Sequence, residues 1–241
     1  MSMQVLQKQA AELGVILDDA QLDAFNVYTQ MLLTWNSRMN LTAVLDPGQI
    51  TTKHFADSLS LLRFIPRDKP CRLIDAGTGA GFPGAPLAIA APLFSVTLMD
   101  CLNKRLVFLN ELIGALNLKN AATVHSRLED AGRSEEHRER YDAVVSRAVA
   151  RMNVLAEYCL PLAARGGYFY AMKGPAGREE AAGAEEIIDM LGGRVESVED
   201  VLLFDDSANE RLRHTVIVIK KIKKTSAGYP RRPDVIKKLV T

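Results

Sequence analysis

The 241-residue chain is poor in cysteine and has no long apolar run. Its cysteines, Cys71, Cys101 and Cys159, are scattered without CxxC spacing, which disfavours a disulfide framework or a zinc knuckle and favours a reducing compartment. The first ten residues lack the basic and apolar regions of a secretory signal. The most apolar stretch, residues 86–99, is too short to span a bilayer and is interrupted by Pro92. We therefore expect a cytoplasmic protein with no membrane partner.

Net charge is also low, because 30 Lys and Arg residues oppose 29 Asp and Glu residues. With 48% hydrophobic and 24% charged residues, the composition excludes a disordered or collagen-like chain. The balance hides an uneven distribution: residues 220–241 carry eight basic residues and one acid, a local charge of +7, so the remainder sums to −6. A solvated terminus and a patch for a polyanion both fit this tail. Nucleic acid fits better than a membrane, because no apolar face accompanies the charge.

Residues 1–65 are predicted to be a helical cap. Asp18 or Asp19 can cap a helix whose apolar residues fall on one side. Asp46-Pro47 is typical of an N-cap followed by proline at the first helical position, and Pro66 ends that helix after residue 62.

Residues 66–220 show alternating strand and helix patterns, followed by a basic tail at 221–241. Such alternation implies parallel pairing with right-handed crossovers, so we predict a doubly wound α/β domain. Two final strands without an intervening helix predict an antiparallel end to the sheet. The predicted strands are 71–75, 95–100, 122–125, 141–146, 167–173, 195–204 and 212–220, and the predicted helices lie near 84–91, 103–117, 151–164 and 179–191.

A glycine-rich loop follows the first predicted strand and opens a helix. Asp75 ends the strand, and Gly77, Gly79 and Gly81 follow at alternate positions. Such a loop lets a ligand approach the backbone, although many tight turns are equally rich in glycine. Asp100 ends the next strand, nineteen residues past Gly81, where similar folds place a carboxylate for ribose hydroxyls. Capping of the following helix is the competing interpretation of Asp100.

The glycine spacing favours a nucleoside ligand other than a dinucleotide. The chain has G-x-G-x-G rather than G-x-G-x-x-G, and it lacks both the P-loop pattern and G-x-S-x-G. A carboxylate at Asp75 would repel a pyrophosphate but suits a ligand that carries an ammonium and a sulfonium group. The sequence therefore predicts S-adenosylmethionine (AdoMet) as the cofactor and methyl transfer as the reaction.

The methyl acceptor is approached by elimination. No [ND]-P-P-[YF] motif for exocyclic amines follows the fourth predicted strand, and no cysteine follows a proline as in C5-pyrimidine methylation. No His/Asp/Glu cluster with metal-ligand spacing appears, so no metal is expected. An acceptor that needs no deprotonation, such as guanine N7, remains plausible. Ser146 and Arg147, at the end of the fourth strand, are expected to face the reacting atoms, with Arg147 a candidate for positioning them.

Short motifs occur in a fixed order over about residues 30–220, and together they resemble a known family. They are Trp35-Asn36, Asn40-Leu41-Thr42, His54-x-x-Asp57-Ser58, the 75–84 loop, Asp100 with Lys104-Arg105, Ser126-Arg127-Leu128-Glu129, Ser146-Arg147-Ala148, Met172-Lys173-Gly174 and Glu210-Arg211-x-Arg213-His214. The chain is similar to the bacterial glucose-inhibited division protein B family, the 16S ribosomal RNA guanine-N7 methyltransferases. The tail motif Tyr229-Pro230-Arg231 also matches, whereas residues 234–236 depart from the family's Gly-x-Pro continuation.

The resemblance implies a Rossmann-like class I AdoMet-dependent methyltransferase fold with an N-terminal helical cap. It implies methylation of the guanine at position 527 of 16S rRNA, within the small ribosomal subunit, by a protein that we expect to be monomeric. Together with the loop reading, it gives these expected cofactor contacts: Asp75, Gly77, Thr78, Gly79, Phe82, Asp100, Leu128, Glu129 and Arg147.

Four basic residues in these motifs are candidate RNA contacts: Lys104, Arg105, Lys173 and Arg213. A solvated surface position competes with this role for each, and Lys173 can also cap the sheet. His54, Asp57 and Ser58 are expected to pack the cap against the catalytic domain, because their local spacing does not suit a catalytic triad. Two other functions stay open: a small-molecule methyltransferase, and a non-catalytic RNA-binding protein that keeps AdoMet as a structural ligand.

Overall fold

The computed structural model describes residues 2–237, and residues 1 and 238–241, with Lys238 of the predicted tail, lie outside the described residues. Within the described part of the chain, seven strands form one sheet. The strands are β1 (Cys71–Ala76), β2 (Phe94–Asp100), β3 (Ala121–His125), β4 (Tyr141–Arg147), β5 (Ala163–Lys173), β6 (Gly193–Asp205) and β7 (Glu210–Lys221).

The sheet has the order β3-β2-β1-β4-β5-β7-β6. Strands β1 to β5 are parallel, whereas β7 runs antiparallel to both β5 and β6. The predicted doubly wound, mostly parallel sheet with an antiparallel end is therefore confirmed. The strand order reverses between β1 and β4, and in such sheets ligands bind at the carboxyl ends of the strands beside this reversal.

Helices cover both faces of the sheet. They are α1 (Ser2–Glu12), α2 (Asp19–Met39), α3 (Pro47–Ile50), α4 (Asp57–Leu59), α5 (Gly84–Ala90), α6 (Asn103–Ala115), α7 (Leu128–Ala131), α8 (Met152–Cys159), α9 (Gly177–Ala182), α10 (Glu185–Met190) and α11 (Pro233–Lys237). No helix within residues 2–237 combines the length and apolarity that crossing a membrane requires.

The N-terminal helices begin where the sequence predicts. Asp18 forms a capping box with Gln21, and the Asp46 carboxylate accepts a hydrogen bond from the backbone N–H of Gln49. The segment predicted as one helix over 47–62 is helical throughout, but it changes type: a π-helical stretch (Thr51–Ala56) joins α3 to α4, and a 3₁₀ turn (Ser60–Arg63) follows. Hydroxyl side chains that hydrogen-bond to preceding carbonyls accompany these changes of pitch.

One predicted helix is shorter than expected and another is divided in two. The helix predicted over 151–164 ends at Cys159, and β5 already begins at Ala163. Pro161 lies between them and has no N–H with which to continue the helix. The helix predicted over 179–191 is divided into α9 and α10 at Gly183.

The helical cap shares its apolar core with the sheet. Phe25 and Leu32 of α2 and Phe55 of the π-helical stretch lie in one buried cluster with Leu98 of β2 and Val145 of β4. The opposite face of the sheet is covered by α8 and α10, whose buried residues form a second cluster. The cap therefore holds the carboxyl ends of the strands in place from one side.

Candidate active site

A cavity of about 340 Å³ opens at the carboxyl ends of the first strands. Its wall includes Gly77 from the loop after β1, Asp100 from the end of β2, and Leu128 and Glu129 from the start of α7. The structure thus brings together four residues that the sequence predicted as cofactor contacts. The volume lies in the range typical of small-molecule sites.

The loop after β1 requires glycine where it meets this cavity. Gly77 has φ +77°, and a Cβ placed on it would lie 2.7 Å from a methyl carbon of Val149. The N–H groups of Gly77 and Thr78 donate to the carbonyl of Met99 at 3.0 and 2.9 Å, which ties the loop to β2. A ligand in the cavity can therefore lie directly against backbone at Gly77.

Asp100 lines the cavity, and its carboxylate also accepts hydrogen bonds from the neighbouring backbone, although Leu102 rather than Asp100 is the N-cap of α6. Its carboxylate accepts hydrogen bonds from the N–H of Gly79 at 3.0 Å and from Arg105 Nη1 at 3.1 Å on one oxygen. The other oxygen accepts the N–H of Leu102 at 2.8 Å, at the start of α6. Three donors leave about one of the four acceptor sites of this cavity-lining carboxylate unused. This vacancy suits a ribose hydroxyl of a nucleoside ligand.

Asp75 and Thr78 lie behind the loop rather than in the cavity wall. One oxygen of the Asp75 carboxylate accepts the Thr78 hydroxyl at 2.7 Å and the Gly84 N–H at 2.8 Å. Its other oxygen is buried and has no hydrogen-bond partner among the described residues. Burial raises the pKa of Asp75 to about 6. The sequence predicted that the Asp75 carboxylate contacts the ligand. In the structure its hydrogen bonds to Thr78 and Gly84 stabilise the loop instead.

Phe82 and Arg147 also lie outside the donor cavity, our name for the cavity lined by Gly77, Asp100 and Glu129. Phe82 is buried and stacks on Tyr28, with ring centroids 5.3 Å apart and planes 9° apart. The guanidinium carbon of Arg147 lies 5.1 Å from the Phe82 ring centre. Arg147 lines a second recess, which shares Ala148 with the donor cavity.

This recess, the acceptor recess, has a volume of about 230 Å³ and is lined by Asp57, Arg147, Ala148, Met172, Lys173, Gly174, Glu180 and His214. Asp57 accepts hydrogen bonds from Arg147 Nη1 at 2.8 Å and from His214 Nδ1 at 2.6 Å. Burial raises the pKa of Asp57, but the bonds and charges of His214 and Arg147 outweigh it and hold this pKa below its ordinary value. Sequence reasoning gave Asp57 a packing role and His214 none. Both residues lie in motifs that the sequence analysis singled out, but only the folded structure shows that the two side chains are in contact.

His54 is held neutral beside this pair. Burial, together with the positive charge of Arg147, lowers its pKa to about 4. Its ring nitrogens lie 3.0 Å from the carbonyl of Lys53 and 2.8 Å from the hydroxyl of Thr42. These contacts suit a neutral imidazole that donates from Nδ1 and accepts at Nε2.

The four candidate RNA contacts differ in whether their side chains are paired with carboxylates or exposed. Lys173 Nζ lies 2.8 Å from the Glu180 carboxylate, and Arg105 is bound to Asp100, so both serve internal contacts. Arg213 is exposed and pairs with Asp200 at 2.8 Å. Lys104 is exposed in the first turn of α6. RNA contact by these residues stays a prediction.

The predicted basic tail packs on the body as far as the buried Ile236. Arg231 pairs with the fully buried Glu157 at 2.7 Å. Lys221 is fully buried 3.6 Å from Glu139, and burial lowers the pKa of Lys221 to about 8. Two cations counted in the tail thus stabilise the fold, whereas others, such as Arg232, are exposed. Among the described residues, no group of three or more His, Cys, Asp or Glu side chains is arranged to hold a metal ion.

Comparison with known proteins identifies the family. The family model described as "rRNA small subunit methyltransferase G" (GidB) matches residues 21–206. A "Ribosomal RNA small subunit methyltransferase G" from Alkaliphilus metalliredigens is 45% identical over 233 residues, covering 96% of this chain and 95% of the relative. The protein of the same name from Clostridium botulinum (strain Loch Maree / Type A3) is 41% identical over 234 residues, covering 97% and 96%.

Solved structures share the fold at low sequence identity. The 16S rRNA (adenine(1408)-N(1))-methyltransferase from Catenulisporales acidiphilia matches with a TM-score of 0.54 and 15% identity, covering 65% of this chain and 90% of that one. A mutant of that enzyme solved with its cosubstrate SAM matches with a TM-score of 0.51 and 16% identity, covering 66% and 88%. This likeness supports the methyltransferase fold, and the near-complete sequence matches go further: the chain belongs to the rRNA small subunit methyltransferase G family.

Proposed function

We propose that this protein transfers a methyl group from AdoMet to N7 of the guanine at position 527 of 16S rRNA. The observation that carries the proposal is the donor cavity, whose wall is formed by the backbone of Gly77 and by the carboxylates of Asp100 and Glu129. Membership of the family supports the ribosomal RNA substrate, since the relatives are named as small-subunit RNA methyltransferases.

The residues of the donor cavity fit the parts of AdoMet. Asp100 would accept hydrogen bonds from the ribose hydroxyls, and Leu128 and Glu129 would frame the adenine. Gly77 would pass close to the amino-acid end, at a position where a Cβ would also collide with Val149. AdoMet supplies an electrophilic methyl carbon bound to a sulfonium sulfur. The protein's contribution is to hold donor and acceptor in line, which is a large part of the acceleration available to a reaction of two bound molecules.

A labelled-methyl assay tests this proposal. Purified protein and AdoMet with a labelled methyl group are incubated with small-subunit particles that lack this modification, and the RNA is cleaved chemically at 7-methylguanosine. We expect one labelled site, at position 527. Free 16S rRNA and its precursor, run in parallel, identify the substrate form.

The other outcomes decide between the remaining functions. Label in a small metabolite but never in RNA would support a small-molecule methyltransferase. RNA binding without any turnover would support a non-catalytic protein that keeps AdoMet as a structural ligand. Label at a base atom other than guanine N7 would overturn the proposed specificity.

A further inference from the structure

We propose that residues 225–231, the C-terminal strap, position the part of the donor-cavity wall that α7 and α8 provide, and that Arg138 is the positioning residue through which the strap acts. The inference rests on the function proposed above, because it takes the donor cavity as the AdoMet site. It assigns this part of the basic tail to donor binding, where the charge of the tail alone indicated a polyanion.

Part of the donor-cavity wall is carried by two short helices. Leu128 and Glu129 come from α7, and Tyr158 comes from α8. Because α7 has only four residues, it is too short to be stable as an isolated helix. Its position in the folded protein therefore depends on the groups that contact its buried face and its ends.

The carboxyl end of α7 is attached to the strap by one guanidinium group. Arg138 Nη1 donates to the carbonyl of Gly132, the C-cap of α7, at 2.5 Å and to the carbonyl of Tyr229 in the strap at 2.7 Å. Its Nη2 donates to the strap carbonyls of Thr225 and Ser226 at 2.7 and 3.1 Å. These four bonds use the planar fork of an arginine, which a lysine does not have. The strap is therefore bonded directly to a helix that lines the cavity.

A second arginine supports the same junction. Arg133, which follows α7, donates to the carbonyl of Pro230 from Nε at 2.9 Å and from Nη2 at 2.6 Å. The Pro230 ring also packs against Gly132, since a Cβ on this glycine would lie 3.1 Å from two of the ring carbons. The strap and the end of α7 are thus in close contact, and we expect a displacement of one to displace the other.

The last residue of the strap is attached to α8. The Arg231 guanidinium pairs with the fully buried Glu157 at 2.7 Å, and the backbone N–H of Arg231 donates to the same carboxylate at 2.6 Å. Glu157 immediately precedes Tyr158, the α8 residue that lines the cavity. The strap therefore bridges the two helices, and we expect their separation to depend on both attachments.

The strap itself has little charge available to a polyanion. Arg231 is the one cation in the sequence of residues 225–231, and it is paired with Glu157. The other basic residues of the tail precede the strap or follow it. Loss of the strap contacts should therefore change donor binding and leave the binding of RNA nearly unchanged.

The test separates donor binding from folding and from RNA binding. Calorimetry with S-adenosylhomocysteine gives the dissociation constant and the stoichiometry for the full-length wild type, Arg138→Gln, Arg138→Lys and Arg133→Gln. Methylation of small-subunit particles at varied AdoMet concentration gives KM and kcat, and filter binding gives the affinity for the particles. The matched control is Arg67→Gln, which removes another arginine that donates to a backbone carbonyl, that of Gly14 between α1 and α2, at 3.0 Å.

We expect Arg138→Gln to raise both the dissociation constant for S-adenosylhomocysteine and the KM for AdoMet about tenfold, the scale of a lost hydrogen bond to a charged group. The kcat and the particle affinity should stay within about twofold of wild type, because the change affects binding of the donor. Arg138→Lys should lose less than Arg138→Gln, since lysine keeps the charge but not the fork. Arg133→Gln should weaken donor binding about threefold, because its side chain is exposed and its bonds to Pro230 are partly shielded from water.

Three results would overturn the inference. They are donor binding by the Arg138 variants that equals that of Arg67→Gln, a loss confined to kcat and stoichiometry, which marks a smaller folded fraction, and a loss confined to particle affinity, which would return the strap to RNA contact. If Arg138→Gln does not fold, Arg138→Lys and Arg133→Gln decide by the same criteria. A wild-type protein that binds no S-adenosylhomocysteine overturns the proposed function instead, and this inference with it.

Discussion

Replacing Gly77 with alanine tests how the donor cavity depends on bare backbone. Gly77 has φ +77°, where an L residue costs about 1–2 kcal/mol. The new Cβ would also lie 2.7 Å from a Val149 methyl carbon, closer than side-chain carbons approach. Val149 is 37% exposed, so its side chain can turn away, and in doing so it displaces a group from the cavity wall.

Gly14→Ala is a matched control for the backbone cost. Gly14 has the same φ of +77°, but a Cβ there would meet nothing within 4 Å, and it lies between α1 and α2, outside the cavity. Both variants should therefore lose about 1–2 kcal/mol of unfolding free energy in urea titrations. Gly77→Ala should in addition bind S-adenosylhomocysteine about tenfold more weakly, or roughly 1.4 kcal/mol, by calorimetry. If both variants bind this ligand like wild type, the loop does not contact the donor as we describe.

Three further substitutions address the other contacts. Asp100→Ala should weaken S-adenosylhomocysteine binding in calorimetry while the affinity for small-subunit particles in filter binding stays nearly unchanged, because Asp100 lines the donor cavity and not the acceptor recess. Arg231→Gln should lower the free energy of unfolding by about 3 kcal/mol in urea, because the buried Glu157 carboxylate keeps the backbone N–H of residue 231 but loses its cation. His54→Asn should reduce the loss of unfolding free energy between pH 7 and pH 5 by about 2 kcal/mol in urea titrations. The folded-state pKa of His54 is about 4, below the ordinary value of 6.5. The unfolded chain therefore binds the proton first as pH falls, which destabilises the wild-type fold.

Each of these has a control and an outcome that counts against it. Asp142→Ala removes a carboxylate from the opposite edge of the sheet; equal loss of donor and particle binding in Asp100→Ala would contradict separate roles. Arg232→Gln changes an exposed tail cation and should have little effect on stability; the same result for Arg231→Gln would mean that this tail contact is not stabilising. Burial raises the pKa of Asp75 to about 6, which gives the opposite slope in the same pH window, so only the difference between wild type and His54→Asn is informative. An unchanged pH dependence in that variant would exclude a neutral, buried His54.

The strands and the donor cavity were predictable because their signals are local. The apolar runs of β1 to β5 and the glycines after β1 identify a parallel sheet and its ligand edge, and Asp100 follows from its place at the end of β2. The same reasoning put Arg147 at that edge. This reasoning did not show whether Arg147 lies in the donor cavity or in the acceptor recess. The end of a strand tells at which edge of the sheet a residue lies, but not on which side of the following loop its side chain lies.

The acceptor recess was not predictable because its members come from distant parts of the chain. Asp57 and His214 meet only when the cap packs against the antiparallel end of the sheet, and neither motif indicates the other. The change of helix type after Ile50 is accompanied by hydroxyl side chains that bond to preceding carbonyls, a feature that apolar periodicity does not detect. The number of basic residues in the tail did not predict how many of them are available to RNA, since Arg231 is paired with the buried Glu157 carboxylate.

The most direct measurement of the central claim is protection of one thiol. Cys101 is exposed and lines the donor cavity, whereas Cys71 and Cys159 are buried. Iodoacetamide should therefore alkylate the native protein once, at Cys101, as followed by intact mass and peptide mapping. At a saturating concentration of S-adenosylhomocysteine, established by calorimetry, we predict that this alkylation slows at least about tenfold, because a bound nucleoside covers the thiol. An unchanged rate on protein that is shown to bind the ligand would mean that the donor lies elsewhere.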